Sequence, residues 1–143
     1  MTGLILKEER SMSEERRTES AGSCSEAQRE IAEKARRMIM DNLEKHLKIE
    51  ELAHELHVSQ TQIKVCFRNY YGMPIYSYSR RKRMEEAARL LEETDETILE
   101  IAGKAGYENG SKFAKAFRDE IGTAPGEYRR RVLWEKTDQE AGF

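Results

Sequence analysis

An all-α fold built from a duplicated helical unit is predicted by three observations. From Ser25 to Leu133 apolar residues recur at helical spacing, interrupted only by Pro74 and Pro125. Nowhere does a sustained period-two alternation flanked by hairpin turns appear, which leaves no place for a sheet. The second half of that stretch also repeats the first at a period near fifty residues. Ile49, Glu51, Leu52 and Ala53 return forty-nine positions later as Ile98, Glu100, Ile101 and Ala102. Ile63, Phe67, Arg68, Gly72 and Tyr78 return fifty later as Phe113, Phe117, Arg118, Gly122 and Tyr128. The single added residue falls in the turn, where a loop absorbs it and a packed helix would not. Each copy therefore reads as a short helix, a turn and a longer helix, that is, a helix-turn-helix.

The elements follow in order. Residues 1–24 mix Glu, Arg, Ser and Thr without apolar periodicity and read as a disordered tail, or the remnant of a missing domain, with a short apolar stub at Leu4 to Leu6. The module proper spans 25–133. Ser25 with Gln28 forms a capping box, and Ala27, Ile31, Ala35, Met38, Ile39 and Leu43 predict a first helix of about five turns. The first helix-turn-helix covers about 49–72. Ala53 supplies the small residue where its two helices cross, and His57 stands at the turn, where it tolerates left-handed geometry better than most residues but worse than Gly. Lys48 is a poor cap, whereas Ser59 with Gln62 caps the longer helix, which Gly72 ends. A connecting helix is expected over about 75–91. The second helix-turn-helix covers about 97–121, with a capping box from Thr97 and Glu100, Ala102 at the crossing and Gly106 at the turn. Residues 134–143 are expected to form a tail.

Composition narrows the function classes. A chain of 143 residues supports one well-buried core or two small ones, with little room for a separate sensing or catalytic domain. No apolar run approaches the roughly 18 residues a membrane span requires, and the apolar run in MTGLILKEER is too short for a secretory signal. A cytoplasmic protein without membrane contact is expected. Cys24 and Cys66 lie in dissimilar surroundings and read as reduced thiols. His54 and His57 share a helix face with each other, but no third ligand is fixed nearby, so a metal or catalytic site built with Cys66 is disfavoured. The expectation is a non-enzyme with no cofactor, no metal and no small-molecule pocket.

The formal net charge of −2 argues weakly against nucleic acid, yet the charge is segregated. Ser59 to Arg83 carries six basic residues (Lys64, Arg68, Arg80, Arg81, Lys82, Arg83) and no acid, while Met84 to Ala105 carries seven acids against two bases. On composition alone a solvated helix face and a phosphate-binding face are equally good readings. The two longer helices separate them. In the first, Ile63, Cys66, Phe67 and Tyr70 form an apolar face opposite Thr61, Lys64, Val65 and Arg68. In the second, Phe113, Ala116 and Phe117 point inward, opposite Ser111, Ala114, Lys115 and Arg118. Both outer faces read as free of acids. Short hydroxyl side chains with Lys or Arg further along suit a helix lying in the major groove, and an arbitrary wet face has no reason to recur at matching positions.

Over Ile31 to Arg131 the chain resembles the AraC/XylS transcription regulators of bacteria. The run ARRMIMDNLEKHLKIEELAHELHVS, then IKVCFRNYYGM, Tyr78, Arg83 and Met84, Ala87, Leu90 and Leu91 follow the family's first half, and TILEIAGKAGYENGSKFAKAFRDEIGTAPGEYRR follows its second. The resemblance implies a seven-helix module of two helix-turn-helix subdomains joined by a long connecting helix. It implies sequence-specific binding of double-stranded DNA by two recognition helices in successive major-groove segments, and activation through contact with RNA polymerase. The implied DNA-binding residues are Gln60, Thr61, Lys64, Val65 and Arg68 in the first unit and Gly110, Ser111, Lys112, Lys115 and Arg118 in the second. Two departures stand out. Val65 occupies a position where the family often has a polar reader, which assigns more of the base readout to the second unit. Pro74 lies one residue nearer Gly72 than Pro125 does to Gly122, so the connecting helix is expected to start differently. A sensing or dimerising domain usually accompanies this module, and both a stand-alone regulator and the C-terminal part of a longer protein fit. The contrasting reading is a helical protein-interaction scaffold that has lost DNA contact, favoured by the net charge and Val65.

Overall fold

A computed structural model of the chain describes residues 25–142, and side chains to residue 139; the expected tail at 1–24, with Leu4 to Leu6 and Cys24, lies outside the described residues. Seven helices and no strands make up what is described: α1 (Glu26–Asp41), α2 (Ile49–Leu56), α3 (Gln60–Tyr71), α4 (Ile75–Glu93), α5 (Ile98–Lys104), α6 (Gly110–Ile121) and α7 (Pro125–Gly142). The all-α class and the two units joined by a long helix are thus observed.

Local chemistry sets most of the helix ends. Ser25, Ser59 and Thr97 each form the reciprocal capping box that satisfies two otherwise orphaned N–H groups. Lys48 makes no side-chain cap. The first helix is shorter than expected, stopping at Asp41 with Asn42 as its cap, so Leu43 packs from the following loop. The two turns close alike. His57 adopts φ 57° and ψ 42°, and Gly106 adopts φ 87°. In both, the next N–H reaches back to the crossing alanine, Val58 to Ala53 at 3.1 Å and Tyr107 to Ala102 at 2.9 Å, satisfying a carbonyl at the end of the short helix.

Two separate cores result. Ala32, Ala35, Ile39, Leu52, Ile63 and Phe67 anchor the first, which also takes Ile75 and Tyr78 from the start of α4. The second gathers Met84, Ala87, Leu91, Ile101, Phe113 and Phe117 with Tyr128 and Val132. So α4 closes the first unit with its opening turn and founds the second with the rest of its length. The sequence repeat has a structural counterpart in the cores: Phe67 meets Tyr78 edge-on at 5.2 Å, and Phe117 meets Tyr128 edge-on at 5.5 Å, both at 74°. Each buried tyrosine hydroxyl is then tied to the first helix of its unit. Arg36 Nε on α1 donates to Tyr78 at 2.7 Å, and Tyr128 donates to Glu92 on α4 at 2.5 Å.

The offset proline does not move the start of the connecting helix. Pro74 is the N-cap of α4, whereas Pro125 is the first residue of α7, so both helices begin three residues beyond their glycine. Proline fits either place, because neither needs its N–H. The last helix does not stop at Leu133; it continues through the expected tail to Gly142. Beyond Val132 it leaves the core, with Leu133 and Trp134 exposed, but Lys136 donates to the Glu92 carbonyl at 2.8 Å. Arg129 similarly serves the carbonyls of Leu91 and Thr94. These cations satisfy the open carbonyl end of α4, a tertiary role that apolar periodicity does not reveal.

Candidate nucleic-acid interface

The longer helix of the first unit, α3, follows the expected division. Ile63, Cys66, Phe67 and Tyr70 are buried, while Gln60, Thr61, Lys64, Val65 and Arg68 are exposed, Val65 at 45%. No acid lies anywhere in α3, and neither Lys64 nor Arg68 forms an ion pair among the described residues. An uncompensated cation on a wet surface is what phosphate attracts.

The second helix is positioned by a residue that carries no capping-box signature in the sequence. Asn109 is the N-cap of α6, its side-chain oxygen accepting from the Ser111 N–H at 2.7 Å and the Lys112 N–H at 3.1 Å. An Asn immediately before a helical run is the signal that could have found it, but it lacks the Glu or Gln partner that marks the other caps. Phe113, Ala116 and Phe117 face the core. Ser111, Lys112, Lys115 and Arg118 are exposed, and Gly110 is half-buried. One expectation fails here: the outer face of α6 is not free of acids. Asp119 sits at its C-terminal end, with Oδ2 3.2 Å from Lys115 Nζ. Arg118 and Lys112 remain without ion pairs among the described residues.

Asp119 and its neighbour Glu120 also change the meaning of the basic stretch that follows the first unit. Arg80 lies 3.5 Å from Asp119 and 3.2 Å from Glu120, and Arg81 lies 3.8 Å from Glu120. Lys82 pairs with Glu85 at 3.5 Å and stands 5.3 Å from the centre of the Tyr78 ring. Arg83 is 4% exposed and donates to Ser79 Oγ at 2.8 Å. Arg80, Arg81 and Lys82 are thus paired with carboxylates and Arg83 is buried, in contrast to Lys64 and Arg68. Where α4 crosses the end of α6, these cations meet an acidic pair and the negative end of the helix dipole. The signal was present in the repeat itself, since Asp119 and Glu120 stand where the first copy has Asn69 and Tyr70.

The two units also touch away from α4. The loop between α1 and α2 lies over the turn between α5 and α6, with the His46 ring edge-on to Tyr107 at 5.3 Å. Burial against this turn pushes the His46 pKa below the ordinary imidazole value of 6.5, the Arg83 guanidinium pushes it the same way, and the Ala105 backbone opposes them. The other ionisable groups of the junction are Glu44 on the same loop and Lys104 and Tyr107 of the second unit. Because the folded chain resists the proton that the unfolded chain accepts, stability should fall as pH drops below about 6.5. Urea unfolding at pH 7.5 and 5.5 should show a larger loss for the parent chain than for His46→Ala; equal losses would contradict this.

Elsewhere the described residues offer little chemistry. Cys66 is buried in the core, and His54 and His57 line a shallow open depression with Glu50, Gln60 and Gln62. No group of three or more His, Cys, Asp or Glu that could hold a metal ion occurs among the described residues. No helix among them is long and apolar enough to cross a membrane.

Two helix-turn-helix units on one shared helix, each presenting a hydroxyl and an arginine at matching exposed positions, define a double helix-turn-helix protein. A family model described as a helix-turn-helix domain matches residues 52–131. The transcriptional activator AarP of Providencia stuartii is 33% identical over 91 residues, covering 64% of this chain and 67% of that protein. The regulator YkgA of Escherichia coli is 33% identical over 94 residues, covering 66% of this chain but only 39% of its own length. The C-terminal domain of AraT, a response regulator from Geobacillus stearothermophilus, superposes with a TM-score of 0.70 at 31% identity, covering 76% of this chain and 87% of that domain. The chain belongs to the AraC-type helix-turn-helix family of transcription regulators. It spans well under half the length of YkgA.

Proposed function

We propose that this chain reads DNA by placing α3 and α6 in successive major-groove segments of one duplex, and that it activates transcription. The observation that carries the reading is the matched pair of exposed faces, Thr61 with Arg68 and Ser111 with Arg118, on helices held by equivalent cores. Hydroxyl groups and Lys115 meet base edges, while Arg68 and Arg118 meet phosphates. The spacing is dimensionally sound: 19 residues of α4 make a strut of about 28 Å, against about 34 Å between successive groove faces on one side of B-DNA. Val65, apolar and exposed, suits a thymine methyl and cannot hydrogen-bond a guanine, so the second unit carries more of the polar readout. An activating role is supported by the activator name of the Providencia relative.

Selection from random duplexes at moderate salt tests the reading. A bipartite motif should be enriched; enrichment of no motif would favour a protein-interaction scaffold, for which the net charge of −2 speaks. On the enriched duplex, Lys115→Ala should relax preference at particular base pairs by about 1–3 kcal/mol each. Uniform weakening on all sequences would instead make Lys115 a phosphate contact.

A further inference from the structure

The first three helices and the last three form separate bodies, and no helix of one packs extensively on a helix of the other. What joins them is α4, and its hold on the two is unequal. It lies along α5, α6 and α7 through Met84, Ala87 and Leu91, and meets the first core with its opening turns, through Ile75, Tyr78 and the Arg36 hydrogen bond to Tyr78. A helix attached to one body by its opening turns leaves that body free to pivot unless something else ties it down.

The α1–α2 loop supplies a second attachment. Gly106 is the place where it lands. A Cβ built on Gly106 would overlap His46 Cδ2, and would lie 2.6 Å from His46 Nε2 and 3.2 Å from the Glu44 carbonyl oxygen. The hollow left by the absent side chain is thus filled by the imidazole edge and by loop backbone, and the same ring packs edge-on against Tyr107. Gly106 is required twice, for its left-handed φ and for this space. The first copy differs at the corresponding turn, where His57 is exposed. The contact is therefore a feature of the junction between the units and not of the repeat.

We infer that His46, seated in the Gly106 hollow, is a positioning residue: it locks the second helix-turn-helix against the first and so sets the separation and phase of the two recognition helices. The two ends of α6 are then both referenced to fixed points, the turn before it to the α1–α2 loop and its C-terminal end to Arg80 and Arg81. The consequence for DNA rests on the function proposed above; the lock itself does not.

Residual dipolar couplings of the full chain without DNA test the lock directly. In the parent protein one alignment tensor should fit the amides of both units. In His46→Ala each unit should still fit its own tensor, showing that it is folded, but the two tensors should differ. His46→Phe, which keeps a ring in the hollow, should restore the common tensor. A common tensor in His46→Ala, or failure of His46→Phe to restore it, would overturn the assignment. On the duplex enriched by selection, inserting one base pair between the half-sites should weaken the parent chain at least about tenfold and His46→Ala less than about threefold, since only a rigid pair must give up one unit's contacts. An equal penalty for both proteins would show that the lock does not set the spacing. If selection enriches no motif, the DNA reading fails while the couplings still decide the lock.

Discussion

Phe117→Ala should lower the unfolding free energy by about 3–5 kcal/mol, the usual cost of emptying a buried phenylalanine site. Phe117 has no exposed surface and its ring contacts Phe113 at 5.8 Å and Tyr128 at 5.5 Å. Neighbouring aromatic rings collapse poorly into a vacancy, which places the cost toward the upper end. The loss should also be local. Because the two cores share only α4, hydrogen exchange should accelerate at Ile101, Ala102 and Ala116 while Ala35, Ile39 and Ile63 keep their protection. Equal acceleration in both units would show that they unfold as one.

Arg68→Ala combined with Arg118→Ala should weaken binding on every duplex and reduce the slope of log affinity against log salt by about two, close to one for each phosphate no longer neutralised. Both side chains are exposed, lie at equivalent places of the repeat and have no carboxylate partner among the described residues. Their charge is therefore available at no cost in broken ion pairs. The same substitution at Arg80 or Arg81 should scarcely alter the salt slope, since their guanidinium groups face Asp119 and Glu120. An undiminished slope in the double variant would remove both residues from the set that touches phosphate.

Much of this architecture is legible along the chain because it depends on neighbours. A capping box joins residues three apart, as at Ser25, Ser59 and Thr97, and a helix face joins residues three or four apart. The turn residues His57 and Gly106 and the crossing residues Ala53 and Ala102 are readable because each satisfies a local backbone or packing demand, and the internal repeat displays every one of them twice. The outward direction of Thr61, Lys64 and Arg68 follows from the same periodicity.

Whether a charge facing outward is free is another matter, because a helix period gives direction and not company. Arg80 to Arg83 form an unbroken basic run along the chain, yet α6 brings Asp119 and Glu120 against two of them and burial encloses Arg83. The continuation of α7 beyond Leu133 and the His46 contact at Gly106 are likewise not legible in the sequence. The sequence by itself determined two helix-turn-helix units and the sides they present, since those follow from contacts within a few residues. Only the tertiary structure decided which cations remain uncompensated and how the units are held to each other. Those outcomes hang on residues tens of positions apart, whose meeting is fixed by how α4 is shared between the two cores.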